Sequence, residues 1–149
     1  MSLPDFKLFT LDEAQRTLPL VRRIVEDLTD AYPQWRASVA KFELLTGNAR
    51  AESGEAGNIV AAREDVARHA ALISGYLQEL EAIGCVFKGF DAGLVDFYSL
   101  RGDCPVFLCW KLGEPRIDHW HEIAAGFAGR QPIDDAILAA TTSPTSTTP

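Results

Sequence analysis

The sequence predicts an α+β fold, a long antiparallel helical hairpin packed on a small antiparallel β-sheet, and three observations carry that prediction. Apolar residues of the first half recur at alternating spacings of three and four. The second half switches to short β-rich runs with period-two alternation. A polar, glycine-bearing segment, TGNARAESGEAGN at 46–58, divides the helical half in two. With 149 residues, 47% of them hydrophobic and 23% charged, the chain suits one globular domain. That domain is expected over 1–135, mainly helical at 5–83 and β-rich at 84–133, with a disordered tail at 136–149.

Asp5 to Phe9 alternates as a short strand would, and Thr10 to Glu13 then has the form of a capping box, which marks a helix start. Leu11, Ala14, Leu18, Val21, Val25, Leu28, Tyr32, Trp35, Val39 and Phe42 form one heptad-like seam. Ile59, Ala62, Val66, His69, Ile73, Tyr76, Leu80 and Ile83 form a second. Two such helices joined by a short loop pack antiparallel. Pro19 and Pro33 interrupt the first. Proline is tolerated at a helix start and costly inside, so Pro19 either kinks the helix or, more comfortably, opens a second helix after a short one at 11–17. Leu20, Ile24, Leu44, Leu45, Leu72 and Leu77 fall off the seams, so another surface must cover them. The sheet is one candidate; a second copy is the other, giving a homodimer built as a four-helix bundle. His69, at a seam position, reads as a histidine satisfied by a hydroxyl such as that of Tyr32.

Gly84 ends the second helix in the usual left-handed manner. Leu94 to Tyr98 and Pro105 to Leu112 read as strands of an antiparallel hairpin. Leu94, Asp96 and Tyr98 share one face of the first strand. Phe107, Cys109 and Lys111 share one face of the second, opposite Val106, Leu108 and Trp110. Asp96 is thus a strand-centre aspartate between apolar residues, unfavourable by propensity. It needs a partner, either Arg130, Lys111 or Lys88 in an ion pair, or a ligand.

The chemically capable side chains concentrate between Gly93 and Arg130. Glu114 follows a Gly113 turn at a strand end. His119 and His121 share a face if 116–121 is extended, and with Glu122 and an arriving Asp96 they could supply N and O ligands for Zn²⁺, Mn²⁺ or Fe²⁺. Trp110 and Trp120 fit either core packing or the wall of a small-ligand pocket. Gly126 to Arg130 ends a loop in a guanidinium suited to a carboxylate or phosphate.

Other classes are disfavoured. A formal charge of −7 without a basic stripe opposes nucleic acid binding. No apolar run is long enough to span a membrane, and no signal peptide is visible, so a cytoplasmic protein is expected. Cys85, Cys104 and Cys109 show no C-x-x-C spacing, which indicates neither a disulfide framework nor a zinc knuckle; inert thiols are the expectation.

Three stretches, FTLDEAQRTLPLV at 9–21, KGFDAGLVDFYSLRG at 88–102 and VFLCWKLGEPRIDHWHEIAAGFAGRQPI at 106–133, resemble the DUF2203 family of small prokaryotic proteins. That family has no assigned reaction. The resemblance implies a pattern that includes Lys88, Asp91, Gly93, Asp96, Trp110, Gly113, Glu114, Trp120, His121, Gly126 and Arg130. It also implies that His119 stands where relatives have an aromatic, which moves weight from a two-histidine site to His121 with Asp96, Glu114 and Glu122.

The functional expectation is a small-ligand or divalent-metal site in the β-rich half. Lys88, Asp96, Trp110, Glu114, Trp120 and Arg130 would bind the ligand, and Asp96, His121 and Glu122 would hold a metal. If a reaction occurs, His121 with Glu114 would do acid–base work. The alternative is a non-enzymatic assembly module acting through the helical hairpin.

Overall fold

In the computed structural model, residues 7–48 and 55–139 are described. Two long helices, α1 (Leu11–Asn48) and α2 (Glu55–Ile83), pack on a five-stranded antiparallel sheet made of β1 (Val86–Gly89), β2 (Leu94–Arg101), β3 (Cys104–Lys111), β4 (His119–Glu122) and β5 (Gln131–Pro132). A single 3-10 turn (Phe127–Gly129) precedes β5, and a short α3 (Asp135–Ala139) follows it. The strands lie in chain order, each paired with its neighbours in sequence. No helix among the described residues is long and apolar enough to cross a membrane.

The expected capping box forms reciprocally. Thr10 N–H donates to Glu13 Oε1 at 2.9 Å, and Glu13 N–H donates to Thr10 Oγ1 at 3.1 Å. Beyond it α1 differs from expectation, for it runs unbroken through Pro19 and Pro33 over 38 residues, about 57 Å at 1.5 Å per residue. Both prolines are exposed while Leu18, Val21, Val25 and Leu28 are buried. The carbonyls that lose an i+4 donor therefore face water, and a break would have taken the apolar stripe off the core. That burial outweighs the roughly 3 kcal/mol an interior proline costs. The helices also reach further into the polar loop than the sequence suggested.

Asp5 and Phe6 of the expected first strand lie outside the described residues. Phe9 is not in a strand, yet its N–H donates to the Tyr98 carbonyl at 2.7 Å and its carbonyl accepts from Ser99 Oγ at 2.6 Å. The entry segment is thereby sewn to the part of β2 that short β1 leaves unpaired. At the other end the expected tail begins as structure. Residues 136–139 belong to α3, whose Ile137 is 1% exposed in the core; Asp134, just before the helix, pairs with Arg101 of β2. A single isoleucine anchors this turn, which composition averaged over the segment conceals. Residues 140–149 lie outside the described residues.

The core forms between the sheet-proximal parts of the hairpin and one face of the sheet. Phe9, Leu18, Val21, Ile24, Val25, Leu28, Ile73 and Leu80 cluster with Val95, Phe97, Val106, Leu108, Trp110 and Trp120. Ile24, off the helical seam, is buried in this cluster, whereas Leu20, Leu44 and Leu72 stay exposed. Gly93 lets α1 approach this closely. Its φ is +64°, and a Cβ there would lie 2.8 Å from Leu112 Cβ and 3.0 Å from Val25 Cγ1.

Candidate functional site

A two-residue turn sets the geometry of the opposite face. Gly102, with φ 63°, opens the link between Arg101 and Cys104, which are paired, and this places Asp96 directly across from Cys109. Cys109 in turn pairs with His119 on β4, and His121, two residues further on, stands on the same face opposite Phe107. Three adjacent strands therefore bring Asp96, Cys109 and His121 together at 3%, 1% and 2% exposure. Cys109 and Phe107 are buried but lie outside the main apolar cluster.

Asp96 is the hub of this group. His121 Nε2 lies 3.1 Å from its Oδ2, Lys88 Nζ lies 3.5 Å from the same oxygen, and the Cys109 thiol lies within 4.8 Å of the carboxylate. Of the three ion-pair partners expected for Asp96, the fold selects Lys88. The other ring nitrogen of His121, Nδ1, is 2.8 Å from the Glu122 carbonyl, which can only accept, so Nδ1 carries a hydrogen. A hydrogen, or a metal ion in its place, must then lie between Nε2 and Oδ2, since two lone pairs at that distance repel. Burial pushes the Cys109 thiol up to about 12, and the Asp96 charge adds to the effect. The ligand atoms of Asp96, Cys109 and His121 all lie within 4.8 Å of one another.

A second polar group adjoins the first. Arg130 donates to both Glu114 oxygens at 2.8 Å, and Glu114 also accepts the Lys111 N–H at 2.8 Å, which closes the turn at Gly113. Arg130 further donates to His119 Nδ1 at 2.9 Å and reaches the Cys109 carbonyl at 3.5 Å. Asp96, Glu114, His121 and Arg130 thus form two neighbouring pairs on one face.

Three expected site residues lie elsewhere. Trp110 and Trp120 belong to the core cluster beneath the helices, because strand alternation turns them away from Asp96 and His121. The Trp110 indole donates to the Glu114 carbonyl at 2.9 Å, while Trp120 Nε1 is buried without a partner. They do not wall the site. Glu122 is exposed and follows His121 along the strand, so its side chain points away and only its carbonyl takes part. Cys109, which the sequence reading took as an inert thiol, stands in the buried group with Asp96 and His121 instead. His119 shares His121's face, as expected for an extended segment, but is held by Arg130. His121 itself has both nitrogens engaged and is 2% exposed, which suits a held ligand better than a proton carrier open to solvent.

A family model described as an uncharacterized conserved protein, DUF2203, matches residues 7–133. The chain belongs to DUF2203. No curated protein and no solved structure matches it. The family match spans α1, α2 and all five strands, including every residue of the two polar groups, and stops before α3. DUF2203 membership brings no reaction, so function rests on the chemistry of the face itself.

Proposed function

We propose that this protein binds one divalent transition-metal ion, zinc above all, through Asp96, Cys109 and His121. The observation that carries the reading is the orientation of His121. Its Nδ1–H is spent on a backbone carbonyl and its Nε2 faces a carboxylate and a thiol, the arrangement in which metal-ligating histidines are held. Bond lengths of about 2.0–2.3 Å put the donor atoms of a tetrahedral zinc site about 3.3–3.8 Å apart. A group within 4.8 Å needs closure of about 1 Å. A thiolate beside an imidazole and a carboxylate favours zinc or iron over manganese, magnesium or calcium. The metal would also supply the charge that lets a deeply buried thiol ionise. A cytoplasmic setting fits, since a reducing compartment keeps Cys109 a thiol.

Protein purified without chelator should carry or take up about one equivalent of zinc, and cobalt substitution should give a thiolate charge-transfer band. At a hundredfold excess of free ion over Kd the gain in stability is about 2.7 kcal/mol. Asp96→Asn, Cys109→Ser and His121→Ala should each abolish it. Absence of any ion-dependent stabilisation in the wild type would remove the reading.

A second reading, assembly through the hairpin, is favoured by Leu44, Val60 and Leu72, which stand 65%, 49% and 48% exposed on the helices. Tyr32, Trp35, Ile73, Leu77 and Phe90 also line an apolar groove of about 420 Å³. A homodimer through these faces would bury at least about 1,000 Å². Light scattering showing a monomer at high micromolar concentration would reject it.

A further inference from the structure

We propose that Lys88 is a built-in competitor for the metal site, a tethered cation that an incoming ion must displace from Asp96. The inference rests on the metal reading and adds a gate to it. Lys88 Nζ and His121 Nε2 approach the same oxygen, Asp96 Oδ2, at 3.5 and 3.1 Å. An ammonium and a divalent ion cannot both occupy that position, because like charges at such separations repel strongly where water is scarce.

The exposures set Lys88 apart from the rest. Its side chain is 42% accessible, while those of Asp96 and His121 are 4% and 2%. It is therefore the member of the group that can leave toward solvent along a flexible stem. Its backbone position is unusual as well. Phe87 pairs with Val95 and Gly89 with Leu94, so Lys88 is the extra residue of a bulge in edge strand β1. Bulges re-aim single side chains, and this one aims an ammonium at a buried carboxylate. The Nζ also sits 4.7 Å over the Phe107 ring, which has the Tyr98 ring at 4.6 Å and the His121 imidazole at 5.3 Å as further neighbours. Phe107 thus gives Lys88 a resting contact in addition to Asp96, one that a metal would not compete for.

Zinc titrations of the full chain, by calorimetry and with a competing chelator, compare wild type with Lys88→Met, Lys88→Gln and Lys88→Arg. Removing the charge should tighten zinc binding at least about fivefold, the lower end of ordinary coupling between competing ligands, and should speed association in stopped flow. Lys88→Arg, which keeps the charge, should stay near wild type. Equal or weaker binding by both neutral variants, with the wild type still taking one ion, would overturn the gate and leave the metal site standing. If no protein in the series binds zinc while circular dichroism shows all of them folded, the metal reading itself fails and the gate falls with it.

Discussion

The two faces of the sheet are both buried, yet different physics holds them. The inner face is made of Val95, Phe97, Val106, Leu108, Trp110 and Trp120, and the helices cover it. Its stability scales with the apolar area removed from water, and no member is needed for the orientation of another. The outer face carries Asp96, Cys109 and His121, whose burial costs free energy unless each finds a partner in a definite direction, with the more accessible Lys88 and His119 beside them. An ion pair and two hydrogen bonds there form a chain from Lys88 through Asp96 to His121 and on to the Glu122 carbonyl. An apolar layer tolerates imperfect replacement; a directional chain does not. The proposed metal site would use such a directional chain, whereas scaffolding alone could be built from hydrophobic residues that pack at least as well.

Mutations can break or sharpen this contrast. The largest loss is expected inside. Phe97, 0% exposed and edge-on to Phe9 at 5.1 Å, should cost about 3–5 kcal/mol as alanine in urea unfolding, with zinc binding retained in whatever fraction stays folded. Gly93→Ala should follow. The positive φ alone costs about 1–3 kcal/mol, and the contact with Leu112 adds to it. Its effect should also be blind to metal. On the outer face, His121→Ala in metal-free protein should cost about 1–3 kcal/mol, because Asp96 keeps Lys88 as a partner. A larger loss there than at Phe97, with no metal effect in wild type, would make the outer face scaffold after all.

Thiol chemistry reads the contrast more gently. Cys104 is exposed, whereas burial raises Cys85 and Cys109 from an ordinary 9.0 to about 12. A thiol reagent at pH 8 should therefore label Cys104 alone in the native protein and all three on unfolding. Between pH 9 and 12 the unfolded thiols ionise while the folded ones stay protonated, so the unfolded state binds fewer protons and stability falls as pH rises. Labelling of Cys109 as fast as Cys104 would contradict the burial. The smallest effect belongs to Asp134, whose carboxyl is held below its usual range mainly by the Arg101 hydrogen bond. That contribution is present above the usual carboxylate range and fades as pH falls through the lowered value. Asp134→Asn should lower the melting temperature only slightly at neutral pH, and not at all under acid conditions.

What was legible in the sequence follows the range of the interactions involved. The capping box, the end of α2 at Gly84 and the alternation of β2 and β3 are local, and each appears where its residues implied. Continuity of α1 was not local. Two prolines argue against it, and only the distant sheet, by burying the stripe on the far side, explains why the helix continues. Cys109 was missed for a related reason. Alternation put it on a face with Phe107 and Lys111, but its position opposite Asp96 depends on pairing register, which no single strand contains. The signal was nevertheless present: a Gly102–Asp103 turn of two residues pairs Arg101 with Cys104, and counting back along both strands sets Asp96 against Cys109. The same register, carried to β4, would have assigned Trp120 to the core and His121 to the site.

The chain-order arrangement of the strands has a consequence for how the molecule is made. Each strand pairs only with its predecessor and successor, so the sheet closes by short hairpin steps, without a long loop whose ends must meet. Asp96 and His121 are 25 positions apart and joined through β3 between them. During synthesis the two helices leave the ribosome before the sheet, with apolar stripes that have each other as first cover. The meander that follows can complete the donor set and the cover for those stripes in the same event. An ion captured at that moment would stabilise the newest part of the chain when it is least secured.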